Sequence, residues 1–503
     1  MEVISYSDEG GIQILGGYQQ KTVGKKYRLN KFCLKIETED GTLIRNYLTG
    51  SIVLLKPVEL INFNTDVKCD YVEFLIGNWF LVPEEYDEEA ILKIMRERQV
   101  IPITDTYLDH PSHFTILTTT TCNARCFYCY ELKVKGKSAM TMEMAEKVAK
   151  YIIGCAPKDR QVTLDWFGGE PLYNADVIDL ISSRVRSAGF NVMGSMVSNG
   201  YLFDDKMIQR AKNDWNLQSV QITLDGTEEV YNKAKNYIYK DTNPFKIVIG
   251  NIHKLLDNKI SVSIRMNCDK HNFEDLGKLI EYLHEEFKNA DNFSMYVWPI
   301  FEEGFTRTSE ERDKLYSVIE SLENKMEECG YEVGHNNLGG VKGRHCMIDN
   351  GDAICIYPKG EIGICEHYLD SKFISHIDNP NNKNWDVIKE WRKYMEPIEL
   401  CENCPIKPGC LRAVGCPDEI TCFPKMQEYL ISHDKKGILK LYEDYKNRPQ
   451  NEEGCGTCSC KPSSDCPEHR PDCMEHYPTQ QGEWQRVMSD GTIIPIKSYQ
   501  NGN

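Results

Sequence analysis

The stretch that decides the fold is residues 121–130, which read Thr121-Cys-Asn-Ala-Arg-Cys-Phe-Tyr-Cys-Tyr130. Its cysteines have the spacing C-x3-C-x2-C, and the neighbouring sequence offers no fourth cysteine or histidine. A structural zinc site needs four closed ligands, whereas three thiolates on one tight loop suit a [4Fe–4S] cluster with one open iron. The same cysteines could instead pack in the core or belong to a zinc site that a distant residue completes.

Length, charge and cysteine usage narrow the class of protein. The chain has 503 residues and a net charge of −17, which suggests about three domains and opposes contact with nucleic acid. The N-terminus lacks a secretory signal, and no apolar stretch approaches the ~20 residues that cross a bilayer. We therefore expect a cytoplasmic protein with no membrane partner, in which the clustered cysteines among the 21 are ligands or reactive thiols rather than disulfides.

Downstream of the cysteine loop, β-rich runs alternate with helical stretches. This alternation predicts an α/β fold with a parallel sheet, a partial (β/α)6 TIM-like barrel. The predicted strands are 114–119, 161–167, 191–197, 219–224, 259–267 and 293–299, and the predicted helices are 141–153, 175–187, 204–213, 244–257 and 273–288. Since the chemistry of such barrels occurs at the carboxyl ends of the strands, the candidate residues are sought there.

The cysteine motif C-x3-C-x-aromatic-C after an apolar strand resembles the signature of the radical S-adenosylmethionine (SAM) superfamily. The resemblance implies that Cys122, Cys126 and Cys129 hold a [4Fe–4S] cluster and that Tyr128 lies by the adenine of SAM. In that superfamily the open iron binds the methionine end of SAM, and the reduced cluster cleaves SAM to a 5′-deoxyadenosyl radical.

The strand ends supply the other expected contacts of SAM. Glycines in the turn after the second strand would let the backbone approach a ligand closely, although such a turn could also be purely structural. The resemblance implies that this turn binds the methionine ammonium of SAM and that the turn after the third strand contacts the ribose. It also implies that a threonine and a lysine hold the carboxylate of SAM. The expected contacts beyond Tyr128 are Gly168, Gly169, Glu170, Ser198, Asn199, Thr223, Lys235, Arg265 and Asn267.

Eight further cysteines lie between 346 and 422, enough for two four-thiolate sites. Two zinc ribbons would explain the same number. The pattern C-x13-G-x4-C followed by C-x2-C-x5-C resembles the SPASM domain, which carries two auxiliary [4Fe–4S] clusters. The resemblance assigns Cys346, Cys355, Cys365 and Cys416 to one cluster, and Cys401, Cys404, Cys410 and Cys422 to the other.

The two ends of the chain carry different signals. Residues 27–35 and 42–47 flank Glu39-Asp40-Gly41, a hairpin signal, and an amphipathic helix is predicted from Tyr86-Asp-Glu-Glu89 to about 98. A winged-helix-like segment that grips precursor peptides is resembled by two stretches, Asn46-Tyr-Leu-Thr-Gly50 and Gly77-Asn-Trp-Phe-Leu-Val-Pro83. A structural cap is the simpler interpretation of this N-terminal part.

The C-terminal tail holds Cys455, Cys458, Cys460, Cys466 and Cys473. Its polar composition predicts flexibility, although metal binding or a substrate-like role stays open.

These patterns predict four parts: an N-terminal α+β peptide-recognition domain over 1–100, a radical SAM partial barrel over 110–310, a SPASM domain over 340–445, and a Cys-rich tail over 446–503. The resemblance implies an oxidoreductase that installs cysteine thioether crosslinks in a ribosomally synthesised precursor peptide. A flavodoxin or ferredoxin would supply electrons. Carbon–carbon crosslinking or another oxidative modification, including formylglycine formation on sulfatases, is the nearest alternative, and a non-enzymatic zinc or iron–sulfur protein is the second.

Overall fold

The computed structural model describes residues 1–5, 26–61, 70–99, 103–133, 136–300, 307–333, 340–341, 351–367, 372–391, 398–410 and 422–447, together with the backbone at 485–487 and 493–495. The predicted ligands Cys346 and Cys416 lie outside these ranges, as do the five cysteines of the tail. No helix in the described part of the chain is long and apolar enough to cross a membrane.

The N-terminal part forms a four-stranded antiparallel sheet in the order β1-β5-β4-β3. A separate pair joins β2 to β6. The elements are β1 Glu2–Ser5, β2 Tyr27–Leu29, β3 Cys33–Thr38, β4 Gly41–Asn46, β5 Ile52–Leu55, α1 Pro57–Ile61, α2 Asp70–Gly77, β6 Leu81–Pro83 and α3 Glu88–Gln99. The hairpin predicted at Glu39-Asp40-Gly41 and the helix predicted to 98 are therefore confirmed.

The strand-like run predicted over residues 27–35 is interrupted at Asn30. The side chain of Asn30 accepts a hydrogen bond from the backbone N–H of Phe32 at 2.9 Å, which turns the chain between β2 and β3. Its amide also donates to the carbonyl of Trp79 at 3.1 Å. A local side-chain turn thus sends the two halves of the run into different sheets.

The centre of the molecule is a nine-stranded sheet in the order β12-β11-β10-β9-β8-β7-β13-β14-β15. Strands β7 to β12 pair in parallel, as predicted, with ends within two residues of the expected positions. These strands are β7 His113–Thr119, β8 Val162–Gly168, β9 Val192–Ser198, β10 Leu217–Thr223, β11 Ser261–Cys268 and β12 Phe293–Pro299. The connecting helices are α4 Met142–Cys155, α5 Ala175–Ser187, α6 Asp205–Asn213, α7 Glu228–Lys235, α8 Pro244–Asp257 and α9 Phe273–Phe287. Of these six connecting helices, only the short helix α7 was not predicted from the sequence.

The two faces of the parallel strands differ in polarity. In β8, Leu164 and Trp166 are fully buried in the main hydrophobic core, whereas Thr163 and Asp165 on the opposite face are partly exposed. The same alternation recurs in β9 and β10. Because successive side chains point to opposite faces of a strand, the apolar face packs against the helices and the polar face lines the inside of the barrel.

The cysteine-rich second half continues the central sheet instead of standing apart from it. Strand β13 pairs in parallel with β7, placing Cys355 opposite Thr115, and β14 and β15 follow antiparallel. The elements are α10 Ser309–Glu328, β13 Ala353–Ile356, β14 Glu361–Gly363, β15 Phe373–His376, α11 Trp385–Trp391 and α12 Pro424–Asn447. In the tail, β16 Gln485–Val487 pairs antiparallel with β17 Ile493–Pro495.

Candidate active site at the strand ends

The cysteine loop leaves β7 and is fastened to the segment after α7. The backbone N–H of Arg125 donates to the carbonyl of Lys235 at 2.8 Å, and that of Ile238 donates to the carbonyl of Asn123 at 2.9 Å. A further turn bond runs from the N–H of Cys129 to the carbonyl of Cys126 at 3.1 Å. The backbone thus holds all three cysteines on one short, anchored loop.

Two N–H groups point at the sulfur of Cys122. The backbone of Ala124 lies 3.4 Å from Sγ, and the side-chain amide of Asn199 lies 3.7 Å from it. Burial, followed by the nearby carboxylate of Glu170, raises the pKa of the Cys122 thiol to about 12. A cationic metal centre would reverse this preference, because thiolates bound to metal are deprotonated.

As they stand, no three His, Cys, Asp or Glu side chains among the described residues converge closely enough to hold a metal ion. The donor set nevertheless fits an iron–sulfur cluster, since three thiols share one loop and Cys122 already accepts N–H donors. Each thiolate of such a cluster binds a different iron, so the three sulfurs need not converge on one point as the ligands of a single ion must.

The glycines at the end of β8 make room for the cysteine loop. A Cβ on Gly168, whose φ is +122°, would lie 2.2 Å from the carbonyl oxygen of Thr119, and a Cβ on Gly169 would lie 2.6 Å from that of Thr121. The nearest neighbour of both Cβ positions is protein backbone, because the two turns pack directly against each other. The expected contact of this turn with a ligand stays a prediction.

Glu170 joins this turn to the end of β9. Its carboxylate is fully buried and accepts hydrogen bonds from the hydroxyl of Ser198 at 2.9 and 3.1 Å and from the backbone N–H of Asn199 at 2.9 Å. Leu172 donates a further backbone bond at 3.2 Å. Burial raises the pKa of Glu170 to about 7 in spite of these donors. Glu170 from one predicted motif and Ser198 and Asn199 from another therefore form one hydrogen-bonded unit.

Lys235 is buried, and its ammonium has partners within the chain. It lies 3.0 Å from the carboxylate of Asp225 and donates to the hydroxyl of Tyr128 at 2.8 Å. The Tyr128 hydroxyl also donates to Asp225. The lysine expected at the carboxylate of SAM thus fixes the aromatic residue of the cysteine loop to the end of β10.

Arg265 lies beside Thr223, because these two residues are opposite each other in the β10–β11 pairing. Its Nε donates to the side-chain oxygen of Asn267 at 2.9 Å. The backbone N–H of Asn267 in turn donates to Asp225 at 3.2 Å. The three contacts predicted at the ends of these strands therefore adjoin the Lys235–Asp225 pair.

Of the four cysteines predicted to hold the first auxiliary cluster, the structure describes only Cys355 and Cys365. Cys355 is fully buried on β13, and its sulfur lies 4.0 Å from a carboxylate oxygen of Glu366. The ring of Tyr130, directly after the cysteine loop, lies 4.5 Å from that of His367. The segment that follows Cys365 thus reaches the loop that carries the first cysteine motif.

Of the four cysteines predicted to hold the second auxiliary cluster, Cys404 is packed against the N-terminal sheet. Cys404 is in one hydrophobic cluster with residues of β3, β4 and α3 and with Ile438 and Tyr442 of α12. The amide of Gln427, near the start of α12, donates to the carbonyl of Leu400 at 3.0 Å. Cys422 lies two residues before the start of this helix, so the structure holds Cys422 and the 401–410 loop at the same helix end.

Two polar features were not predicted from the sequence: the single residue Asp225 and a row of three side chains. Asp225 follows Thr223 by two residues at a strand end, which is a signal that could have singled it out. His113, Asp165 and Ser195 form a hydrogen-bonded row on the inner face of β7, β8 and β9. This row could not be found in advance, because its members belong to three separate strands.

Residues 116–289 match the model of the Radical SAM superfamily. An uncharacterized protein of Methanocaldococcus jannaschii is 23% identical over 282 residues, which cover 55% of this chain and 91% of that protein. GTP 3′,8-cyclase of Clostridium perfringens (strain SM101 / Type A) is 24% identical over 284 residues, which cover 52% of this chain and 83% of that protein. The solved structure of native anSMEcpe with bound AdoMet superposes with a TM-score of 0.52 at 17% identity, covering 67% of this chain and 99% of that one.

The matched segment spans the cysteine loop and the strand ends described above, so it is a radical SAM superfamily domain. The chain accordingly contains a domain of this superfamily, and the superfamily implies S-adenosylmethionine and a [4Fe–4S] cluster as the cofactors of such a domain. The likeness to anSMEcpe supports the same fold for the central part of the chain.

Proposed function

We propose that the protein is a radical SAM/SPASM maturase that installs cysteine thioether crosslinks in a ribosomally synthesised precursor peptide. One observation supports the part of this proposal that concerns cleavage of SAM. The cysteine loop, Glu170 and the Ser198-Asn199 turn meet at one end of the barrel. Loops at the carboxyl ends of strands are where α/β barrels place their chemistry. The three motifs are far apart in the sequence and have no other evident reason to converge.

In this proposal Cys122, Cys126 and Cys129 hold the cluster that cleaves SAM, which supplies the 5′-deoxyadenosyl radical. Glu170 positions the Ser198-Asn199 turn, and the Lys235–Asp225 pair positions Tyr128. The polar inner face of the barrel receives the substrate and excludes other hydrogen donors. A flavodoxin or ferredoxin supplies the electron for each cleavage.

The second half of the proposal concerns the peptide. An N-terminal unit that grips a peptide by strand addition would use an edge strand such as β3, which is paired on one side with β4. This unit is joined to the 401–410 loop, since Lys407 lies 2.7 Å from Glu89 and Arg96 donates to the carbonyl of Lys407 at 2.5 Å. A peptide held there would adjoin the second proposed auxiliary cluster, formed by Cys401, Cys404, Cys410 and Cys422.

The test uses the full chain, reconstituted with iron and sulfide under anaerobic conditions. We expect about 12 iron per chain, from three clusters of four, and 5′-deoxyadenosine when SAM and dithionite are added. Sequencing the neighbouring genome for a short cysteine-bearing open reading frame would supply the candidate peptide. A thioether link removes two hydrogens from that peptide and leaves one fewer cysteine to alkylate.

Other products would identify the alternatives. A peptide that loses two hydrogens while all its cysteines remain alkylatable would indicate a carbon–carbon crosslink. A new aldehyde in place of a cysteine would indicate formylglycine. Zinc in place of iron and no SAM consumption would contradict every enzymatic form of the proposal.

A further inference from the structure

Five tyrosines form a continuous series beside the candidate active site, and neither the fold nor the proposed reaction accounts for it. We name this series the tyrosine chain, and its members are Tyr231, Tyr237, Tyr201, Tyr239 and Tyr173. Three of them come from the segment 231–239, and the other two follow the turns at the ends of β8 and β9. The series therefore exists only in the folded protein.

The inner end of the tyrosine chain adjoins the turn that we expect at the ribose of SAM. The hydroxyl of Tyr237 donates to the carbonyl of Asn199 at 3.3 Å, and it shares a 2.9 Å hydrogen bond with the hydroxyl of Tyr231. Both side chains are buried, with 3% and 0% exposure. Burial raises the pKa of both phenols, so both carry their hydrogen at neutral pH.

The outer end reaches solvent in short steps. The ring centroids of Tyr237 and Tyr201 are 5.1 Å apart, and those of Tyr201 and Tyr239 are stacked at 4.9 Å. The hydroxyl of Tyr239 then lies 2.9 Å from that of Tyr173, which is 39% exposed. The two ring separations fall within the 4.5–7 Å of direct aromatic contact, and the last step is a hydrogen bond between hydroxyls, so no gap interrupts the series.

We propose that the tyrosine chain is a quenching route, which carries an oxidising equivalent from the ribose side of the active site to the protein surface when no substrate hydrogen is available. This proposal rests on the proposed function, because the 5′-deoxyadenosyl radical is the oxidant. A primary alkyl radical abstracts hydrogen from a phenol readily, since the resulting phenoxyl radical is delocalised over the ring. Packing alone would be served as well by phenylalanine and would not need the paired hydroxyls.

The hydrogen balance of the route is simple. The 5′-deoxyadenosyl radical takes the phenolic hydrogen atom of Tyr237, which yields 5′-deoxyadenosine and a Tyr237 phenoxyl radical. Each later step is a net transfer of one hydrogen atom from the outer phenol to the inner phenoxyl, through Tyr201 and Tyr239 to Tyr173. At the surface a thiol reduces the last phenoxyl to tyrosine, and the two thiyl radicals from two such events combine as a disulfide.

The test cleaves SAM with the reconstituted full chain in D2O, with dithionite and no peptide. Phenolic hydrogens exchange with solvent, so the wild type is expected to give singly deuterated 5′-deoxyadenosine and a phenoxyl signal in freeze-quenched electron paramagnetic resonance. Tyr237→Phe keeps the ring and removes the hydroxyl, and we expect it to lose the phenoxyl signal and most of the deuterium and to inactivate faster. Tyr239→Phe should keep the deuterium, because the first step is intact, but should prolong the phenoxyl signal.

Tyr282→Phe is the matched control, since Tyr282 is 38% exposed and contacts the ring of Phe245, outside the tyrosine chain. It should behave as the wild type. If 5′-deoxyadenosine forms without a phenoxyl signal, or if Tyr237→Phe and Tyr282→Phe retain equal deuterium, the quenching route is wrong and the proposed function stands. If the wild type forms no 5′-deoxyadenosine, the proposed function fails and the quenching route fails with it.

Discussion

The ammonium of Lys235 lies 3.0 Å from the carboxylate of Asp225, and the two side chains are 4% and 2% exposed. Removing one member of such a buried pair leaves an uncompensated charge. We therefore expect Lys235→Met to lower the free energy of unfolding by about 3–5 kcal/mol. The double variant Lys235→Met/Asp225→Asn should recover much of this loss in urea unfolding. A double variant no more stable than Lys235→Met would show that the pair is not the source of the effect.

Replacing Cys122, Cys126 and Cys129 together by alanine should remove one cluster of about four iron and all cleavage of SAM while the protein still folds. The reason is that the three thiols share one loop and the proposed auxiliary sites have their own ligands. Iron analysis and chromatography of 5′-deoxyadenosine measure the two effects. Cys329→Ala, a partly exposed single cysteine outside all the clusters, is the control. Formation of 5′-deoxyadenosine by the triple variant would mean that the site is elsewhere.

Gly168→Ala should be strongly destabilising, because its Cβ would lie 2.2 Å from a backbone oxygen and its φ of +122° is strained for alanine. Gly154→Ala is the matched control, since nothing lies within 4 Å of a Cβ there and the residue is inside α4. We expect this control to gain about 0.5–1 kcal/mol from the higher helix propensity of alanine. Thermal unfolding of both variants measures the contrast, and equal shifts would contradict the close packing of the two turns.

Glu170 gives the protein a pH dependence of definite sign. Burial raises its pKa to about 7, so between the ordinary pKa of a glutamate and pH 7 the folded state binds a proton that the unfolded state has lost. Stability from this group is present at low pH and declines as pH rises through that window, by about 3 kcal/mol at most. Glu170→Gln removes the proton linkage. The difference in unfolding free energy between wild type and Glu170→Gln should therefore move in favour of the variant from pH 4.5 to 7.5, and a flat difference would contradict the raised pKa.

Cys404→Ala and Cys422→Ala should each lose about four iron per chain and peptide modification while retaining some SAM cleavage. The structure places the 401–410 loop and Cys422 at the same helix end, which is the reason to expect equal effects. Cys455→Ala should leave iron and activity unchanged. Loss of iron in Cys455→Ala together with wild-type behaviour of Cys422→Ala would mean that a tail cysteine completes the cluster.

The central sheet was predicted well from the sequence, because the residue pattern that specifies each strand lies within a few consecutive positions. Strands such as β9 and β12 are short apolar or alternating runs bounded by turn residues, and the helices between them carry an apolar face. The spacing of Cys122, Cys126 and Cys129 is likewise local, so the first metal site could be proposed from ten consecutive residues. In each case the residues that specify the feature are neighbours in the chain.

The tertiary structure decided what these features touch. The sequence did not indicate that β13 would extend the barrel sheet beside β7, or that Cys404 would share a hydrophobic cluster with the N-terminal sheet. It also assigned Lys235 only by analogy, whereas the fold gives its ammonium the partners Asp225 and Tyr128. These contacts join residues that are tens to hundreds of positions apart, and no local periodicity or spacing encodes which distant side chain will fill a given place. The sequence by itself therefore determined the parallel sheet and its cysteine loop. Only the packing of strands and loops from different parts of the chain determined the environment of each candidate side chain.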